Sequence, residues 1–336
     1  MYNFKKLLLS SGVLSLVFTV SANAVSGYAN TVSAMNINML TERMMSYVHR
    51  GENISTYFSN KSMYGTMTRF DEYGDDGSTL KGSTITTEVS DSIFKNVWGD
   101  VDYVNGHMHF SSGNTFQSKM FIGTIGSETN SIDLKYGDVS FGGFVSYING
   151  EFDGLDSQGN GIGVFGRYNY KNFDTAVMIN DGSLNTDFGV NDFSNAWFNV
   201  AADMSIKIKI DNTLYLEPRL YAGYTWVSSD NLYISGNFVS ENNFNLWNVV
   251  PSVRFIKNIA DDWYGTLSGK YVAKFNDDND IHINGVRTDG VTMDNYFEIA
   301  TGVEYDYHKF VFNGVVTKQI GGIDSWGGNI NVKYLF

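Results

Sequence analysis

The residues able to do chemistry are few and widely spaced. There are five histidines, His49, His107, His109, His282 and His308, and no cysteine. Without a thiol, neither a thiolate metal site nor a cysteine nucleophile is available. His107 and His109 stand two apart, the spacing that puts both imidazoles on one face of a strand, where they could hold a metal ion. No acidic or third histidine ligand stands beside them. Asp280 and His282 lie in a polar stretch and could form an acid–base pair for hydrolysis. That chemistry needs further carboxylates at fixed geometry, and solvated loop residues are the plainer account. The chain has no Gly-x-Ser-x-Gly elbow, phosphate loop or zinc-helix motif, and nothing in it asks for a cofactor.

More informative is a set of charges placed on alternating positions: Asp100, Asp102, Lys207, Lys209, Glu217, Arg219, Arg254, Lys270, Glu298, Glu304 and Asp306. Charges taken out of water need partners. The bland expectation is therefore a mutually neutralising lattice that holds a shape. The functional one is a polar conduit that solvates a passing polypeptide or a resident helix.

The elements that position these charges read as strands. In residues 196–210, Ala196, Phe198, Val200, Ala202, Met204 and Ile206 take one face, while Asn199, Asp203, Ser205, Lys207 and Lys209 take the other. In 263–275, Trp263, Leu267, Tyr271 and Phe275 oppose Thr266, Ser268, Lys270 and Lys274. In 296–307, Phe297, Ile299, Val303, Tyr305 and Tyr307 oppose Glu298, Glu304 and Asp306. A charge on a lipid-facing position near the bilayer midplane costs roughly 2–4 kcal/mol. All the charges in these segments fall on the polar face.

Further segments of similar kind lie near 97–109, 116–127, 135–152, 161–170, 172–180, 214–227, 244–256, 309–319 and 327–336, bringing the total to twelve. In the last, Ile330, Val332, Tyr334 and Phe336 share one face and Asn329, Asn331 and Lys333 the other. The connections alternate in length: short near 169–172, 211–213, 257–262 and 307–309, longer at 181–194, 228–243, 276–294 and 321–326. Transmembrane barrels sort short turns and long loops onto opposite sides in this way. The expected fold is all-β, a transmembrane antiparallel barrel of about twelve strands over 92–336.

Ahead of the barrel, residues 35–50 contain no Gly or Pro and repeat apolar residues Ile37, Leu40, Met44, Tyr47 and Val48 at helical steps. This amphipathic helix either packs on a soluble neighbour or sits in the barrel lumen, where Glu42 and Arg43 would meet charged wall residues. The remainder of 25–91 is a short N-terminal passenger or linker, most polar at 71–78.

Lys5 and Lys6, an apolar run over 7–20 and Ser-Ala-Asn-Ala before Val25 have the form of a secretory signal peptide over 1–24. Of 23 basic residues, 21 remain after its removal against 36 acidic ones, a balance that excludes nucleic acid as a natural partner. The 24 Phe, 21 Tyr and 6 Trp suit a barrel with aromatic girdles, and only two prolines suit a chain whose backbone is mostly paired in ladders.

The helix, the first strand with Val97-Trp98-Gly99, the middle strand with Leu216-Glu217-Pro218-Arg219-Leu220-Tyr221, and the terminal Phe336 together resemble an autotransporter β-domain. That resemblance implies a helix in the pore and a location in the bacterial outer membrane, with loops at the cell surface. It also implies delivery by periplasmic chaperones, insertion into outer-membrane lipid by the barrel-assembly machinery, and a monomer that moves or displays an N-terminal passenger. Ile330, Val332, Tyr334 and Phe336 would form the strand read by that machinery, although Asn331 stands where the family usually has glycine. Two further departures are visible. About forty residues separate helix and first strand, and 25–91 is far shorter than the usual β-helical passenger. A channel or surface adhesin without translocation, or an outer-membrane hydrolase, would fit the same barrel.

Overall fold

The computed structural model describes residues 37, 40–43, 45, 93–109, 115–152, 155–187, 192–229, 231–234, 237–276, 281–288 and 294–336. The signal peptide, most of 25–91, His49 and Asp280 lie outside the described residues.

Strict alternation of apolar and polar side chains makes long strands here, and each strand pairs with its sequence neighbours. The strands are Phe94–His109 (β1), Thr115–Thr129 (β2), Asp138–Phe152 (β3), Leu155–Tyr170 (β4), Phe173–Asp187 (β5) and Asp192–Ile206 (β6). Leu214–Val227 (β7), Phe244–Ala260 (β8), Trp263–Asn276 (β9), Tyr296–Tyr307 (β10), Phe310–Gly321 (β11) and Ile323–Leu335 (β12) follow. These twelve form one antiparallel ring, to which Ile132–Asp133 and Ile208–Lys209 add two-residue extensions. The ring closes where β12 pairs with β1, in continuous register from Asn96↔Leu335 to Met108↔Ile323. Closure leaves no barrel strand with an open edge, which is the condition for placing strands in hydrocarbon.

One end of the barrel carries tight turns at 171–172, 261–262 and 308–309, where Lys171, Asp262 and His308 adopt left-handed φ of 53°, 60° and 53°. The first and last strands also begin and finish at this turn end. The opposite, loop end carries the long links 228–243 and 277–295.

Outward positions are apolar and solvent-facing in the isolated chain, as at Val101, Ile125, Val145, Val177 and Ile299. Aromatic residues border this band at both ends. Trp263 stacks on Tyr305 at 4.5 Å and Tyr334 meets Phe336 at 5.2 Å near the turns; Tyr224 meets Trp247 and Tyr271 meets Phe297, each at 4.7 Å, toward the loops. Such paired girdles mark the two interfaces of a bilayer. Inward positions alternate between polar groups and a few large rings laid over glycines. A Cβ at Gly142 would come within 2.1 Å of the Phe165 ring, and one at Gly161 within 2.7 Å of Trp197.

Both prolines sit inside strands, at lapses of the ladder. Pairing between β6 and β7 is interrupted between Ser205↔Arg219 and Ile208↔Leu216, beside Pro218. Pairing between β8 and β9 is interrupted between Val249↔Ala273 and Ser252↔Lys270, beside Pro251. A residue without an N–H is tolerated where no ladder bond is asked of it.

The twelve expected segments are all present, but the expected loops are revised. Residues 181–194 are mostly ladder: β5 and β6 stay paired from Asp181↔Phe198 to Asp187↔Asp192. Residues 321–326 are a tight reversal into β12, with Gly321 at φ 115°. Beyond the bilayer both faces of a ribbon meet water, so alternation fades while hydrogen bonding continues. The long links at 228–243 and 277–295 also contain structure. Leu232–Ile234, Asn237–Glu241, Ile281–Ile283 and Val286–Thr288 form a separate four-stranded antiparallel sheet. The two loops join at Val239↔Ile283, Ser240↔His282 and Glu241↔Ile281. Asn284 and Gly285, at φ 49° and 83°, make the tight hairpin that the Asn-Gly pair encodes.

Candidate functional site

The site is the lumen. Odd positions of β6 and β7 and even positions of β1, β2, β9 and β10 point into it, which brings charges from distant parts of the chain together. Glu217 accepts from Arg254 Nε at 2.7 Å and from Ser205 Oγ at 3.1 Å, and Arg219 Nε donates to Asp203 Oδ2 at 2.6 Å. Lys270 Nζ lies 3.0 Å from Glu298 Oε1, and Gln319 Nε2 donates to Glu298 Oε2 at 2.9 Å. Asp100 accepts from Asn329 Nδ2 at 2.6 Å. Glu304 is buried on the same face, whereas Lys209 is exposed beside a turn.

Inside this ring of charges lies a helical segment. Ile37, Leu40–Arg43 and Met45 are helical, and Ile37, Leu40 and Met45 are fully buried against the apolar part of the wall. Thr41 Oγ1 donates to the Ile37 carbonyl at 2.9 Å, one helical turn back. Glu42 pairs with Lys270 and accepts from the Tyr296 hydroxyl at 3.5 Å. Arg43 reaches Glu298 Oε2 at 3.3 Å and Asp102 Oδ1 at 3.7 Å. A cavity of about 70 Å³ remains beside the helix, lined in part by Arg43, Glu217, Arg254, Ser268 and Thr317.

A second node, near the turn end, went unread in the sequence apart from Lys207. Arg167 on β4 donates to Asp174 on β5 from Nη2 at 2.7 Å and Nε at 3.2 Å, and its Nη1 lies 3.7 Å from Glu128 on β2. Glu128 also accepts from Ser140 Oγ at 2.6 Å and Asn96 Nδ2 at 3.0 Å, and Lys207 Nζ stands 3.8 Å from Asp174. The available signal was parity, since Arg167 shares the face of Phe165 and opposes Ile162 and Val164. A bulky ring on the inward face masked the polar pattern.

The remaining candidates lie elsewhere. His107 and His109 face outward at the loop end, where His109 Nδ1 is 3.0 Å from Thr115 Oγ1. His282 belongs to the four-stranded sheet, opposite Ser240 and Arg287. Ile330 and Val332 on β12 face outward, Phe336 just past its end is exposed, and Asn329, Asn331 and Lys333 are buried on the lumen side.

A closed ring with an apolar girdled exterior and a charged interior defines a transmembrane β-barrel, which in bacteria belongs to the outer membrane. Within that class, the chain is similar in fold to translocators of autotransporters. The transport unit of the autotransporter AIDA-I from Escherichia coli matches with a TM-score of 0.61 at 17% identity, over 75% of this chain and 92% of that one. The β domain of the Bordetella autotransporter BrkA matches at 0.59 and 13% identity, over 71% and 99%. The translocator domain of NalP from Neisseria meningitidis matches at 0.53 and 10% identity, over 74% and 90%. No family profile matches the sequence. No curated protein matches it either. At these identities the likeness is one of fold.

Proposed function

We propose that the chain is an outer-membrane translocator barrel of the autotransporter kind, which anchors and displays, or passes outward, the short segment that precedes it. One observation carries this: a helical segment N-terminal to β1 occupies the lumen and is held there by Glu42 and Arg43 against Lys270, Glu298 and Asp102. A chain leading into the pore is the arrangement that display requires, and the charged wall gives a polar backbone a water-like path. The loop end faces the cell exterior. The outward row Ile330, Val332, Tyr334 and Phe336 on β12 serves recognition by the barrel-assembly machinery, after periplasmic chaperones have kept the chain unfolded. The barrel acts as a monomer, takes no cofactor and is not an enzyme.

Proteolysis of intact cells tests this. Cleavage within residues 25–60 by an external protease is the expected result. Full protection of that segment in intact cells, with cleavage once the periplasm is opened, would sink the display role and leave a closed barrel.

A further inference from the structure

On the outside of the barrel, across the closing seam, the wall is hollowed. Gly99 on β1 and Gly123 on β2 face outward and floor a groove of about 560 Å³, whose sides are Val101, Ile125, Val145, Tyr147, Ile330 and Val332. The glycines leave real space. A Cβ at Gly99 would meet nothing within 4 Å, and one at Gly123 would meet the Phe121 ring at 3.7 Å.

Directly above, toward the loop end, the same strands carry a polar row. Lys318, Trp326, Asn105, Lys119 and Glu151 are successive register partners across β11, β12, β1, β2 and β3. Lys119 Nζ donates to Glu151 Oε2 at 2.9 Å; Lys318 pairs with Asp324 and lies 5.2 Å over the Trp326 ring. Each ammonium has three donors, so both lysines keep hydrogens for a further acceptor.

From Asn105 to Gly99 is six residues, about 20 Å of strand. With a tilt near 40° this is a depth of about 15 Å, half of a hydrocarbon core about 30 Å thick. The groove lies beneath the polar row and crosses the middle of the apolar band, since Val97, two residues beyond Gly99, is already paired with Tyr334 of the turn-side girdle; an acyl chain hung from the row runs down into it.

We infer that this face is a binding site for one lipid of the outer leaflet, with an acyl chain in the Gly99–Gly123 groove and two head-group phosphates, one on Lys119 and one on Lys318, at the two sides of Asn105. The site lies outside the lumen and stands whether or not the barrel translocates anything.

The test is native mass spectrometry of the full chain released from mild detergent, with purified bis-phosphorylated lipid A added and phosphatidylethanolamine as comparator. The parent chain retains one lipid A per barrel. Filling the groove with Gly99→Leu and Gly123→Leu lowers occupancy about tenfold, while Gly269→Leu, at an outward glycine of β9 equally free of neighbours, leaves it unchanged. Heat-modifiable migration on gels confirms that each variant is folded. Should the filled barrel not fold, Lys119→Ala with Lys318→Ala serves in its place, lowering lipid A retention at least threefold with phosphatidylethanolamine unaffected. Equal lipid retention in parent, filled and control barrels, or in parent and lysine variants, would overturn the proposal and leave only ordinary annular lipid.

Discussion

Two arginines in this lumen each bridge two carboxylates, and they differ in what they are attached to. Arg167 is a wall residue, has no exposed side-chain surface and joins Asp174 and Glu128, which lie on other strands of the same ring. Arg43 belongs to the helical segment, is 14% exposed and joins Glu298 and Asp102 across the gap between helix and wall. The first node ties strands to strands and cannot be separated without opening the ring. The second is a contact between a closed container and its contents. A lumen can therefore be charged throughout for two distinct reasons, shape and docking, and only the second makes a pore conditional.

Four experiments would sharpen or break this contrast. The largest effect is expected for Arg167→Met, which takes the shared guanidinium from two buried carboxylates and leaves Glu128 with Ser140 and Asn96, and Asp174 with the more distant Lys207. Loss of one partner of a buried pair costs about 3–5 kcal/mol, read as a lower urea midpoint for unfolding from lipid vesicles. If Arg43→Met were to cost as much, the distinction between the nodes would collapse. Next, Val177→Arg places a cation on the lipid face of β5 and should cost about 2–4 kcal/mol in the same assay. It separates the apolar outside from a wall that tolerates charge when it is paired. Third, Arg43→Glu sets like charges against Asp102 and Glu298 and should release the helix, raising single-channel conductance with little change in barrel unfolding. Adding Asp102→Arg should recover part of the block, with a coupling of about 0.5–3 kcal/mol. Smallest is an effect outside the bilayer. In the turn between β6 and β7, the Thr213 backbone N–H donates to Asp211 Oδ1 at 2.6 Å and its hydroxyl at 2.9 Å, holding the Asp211 carboxyl below its usual range. Its folded value is depressed, so the contribution is full above the ordinary aspartate pKa, about 3.9, and is lost as pH falls through the lowered value. Asp211→Asn should thus differ slightly from the parent at neutral pH and match it in strong acid, by thermal unfolding against pH.

What could be read from the sequence follows the same division. Where one face meets lipid and the other meets the lumen, as at 196–206 and 296–307, alternation located strand, face and inward charge together. Glu42 and Arg43 were legible because the apolar residues of 35–50 recur at helical steps. Where both faces meet water, the pattern fails although the ladder persists, so the loop-end parts of β5 and β6 read as loops. Arg167 escaped because its inward neighbours are Phe165 and Gly163 rather than polar residues. Asn284-Gly285 between Ile-His-Ile and Val-Arg-Thr was a readable hairpin hidden inside a long polar link. The outward groove has no sequence signal, since its glycines sit on the consecutive strands β1 and β2 and Ile330 and Val332 of β12 complete its side only when the ring closes.

The four-stranded sheet at the loop end has an immunological consequence. Ser240 and His282 are neighbours in it, although β8 and β9 separate them along the chain. An antibody raised against that surface would read both loops at once. It would lose its epitope in a boiled sample, and neither loop offered as a peptide would compete for it.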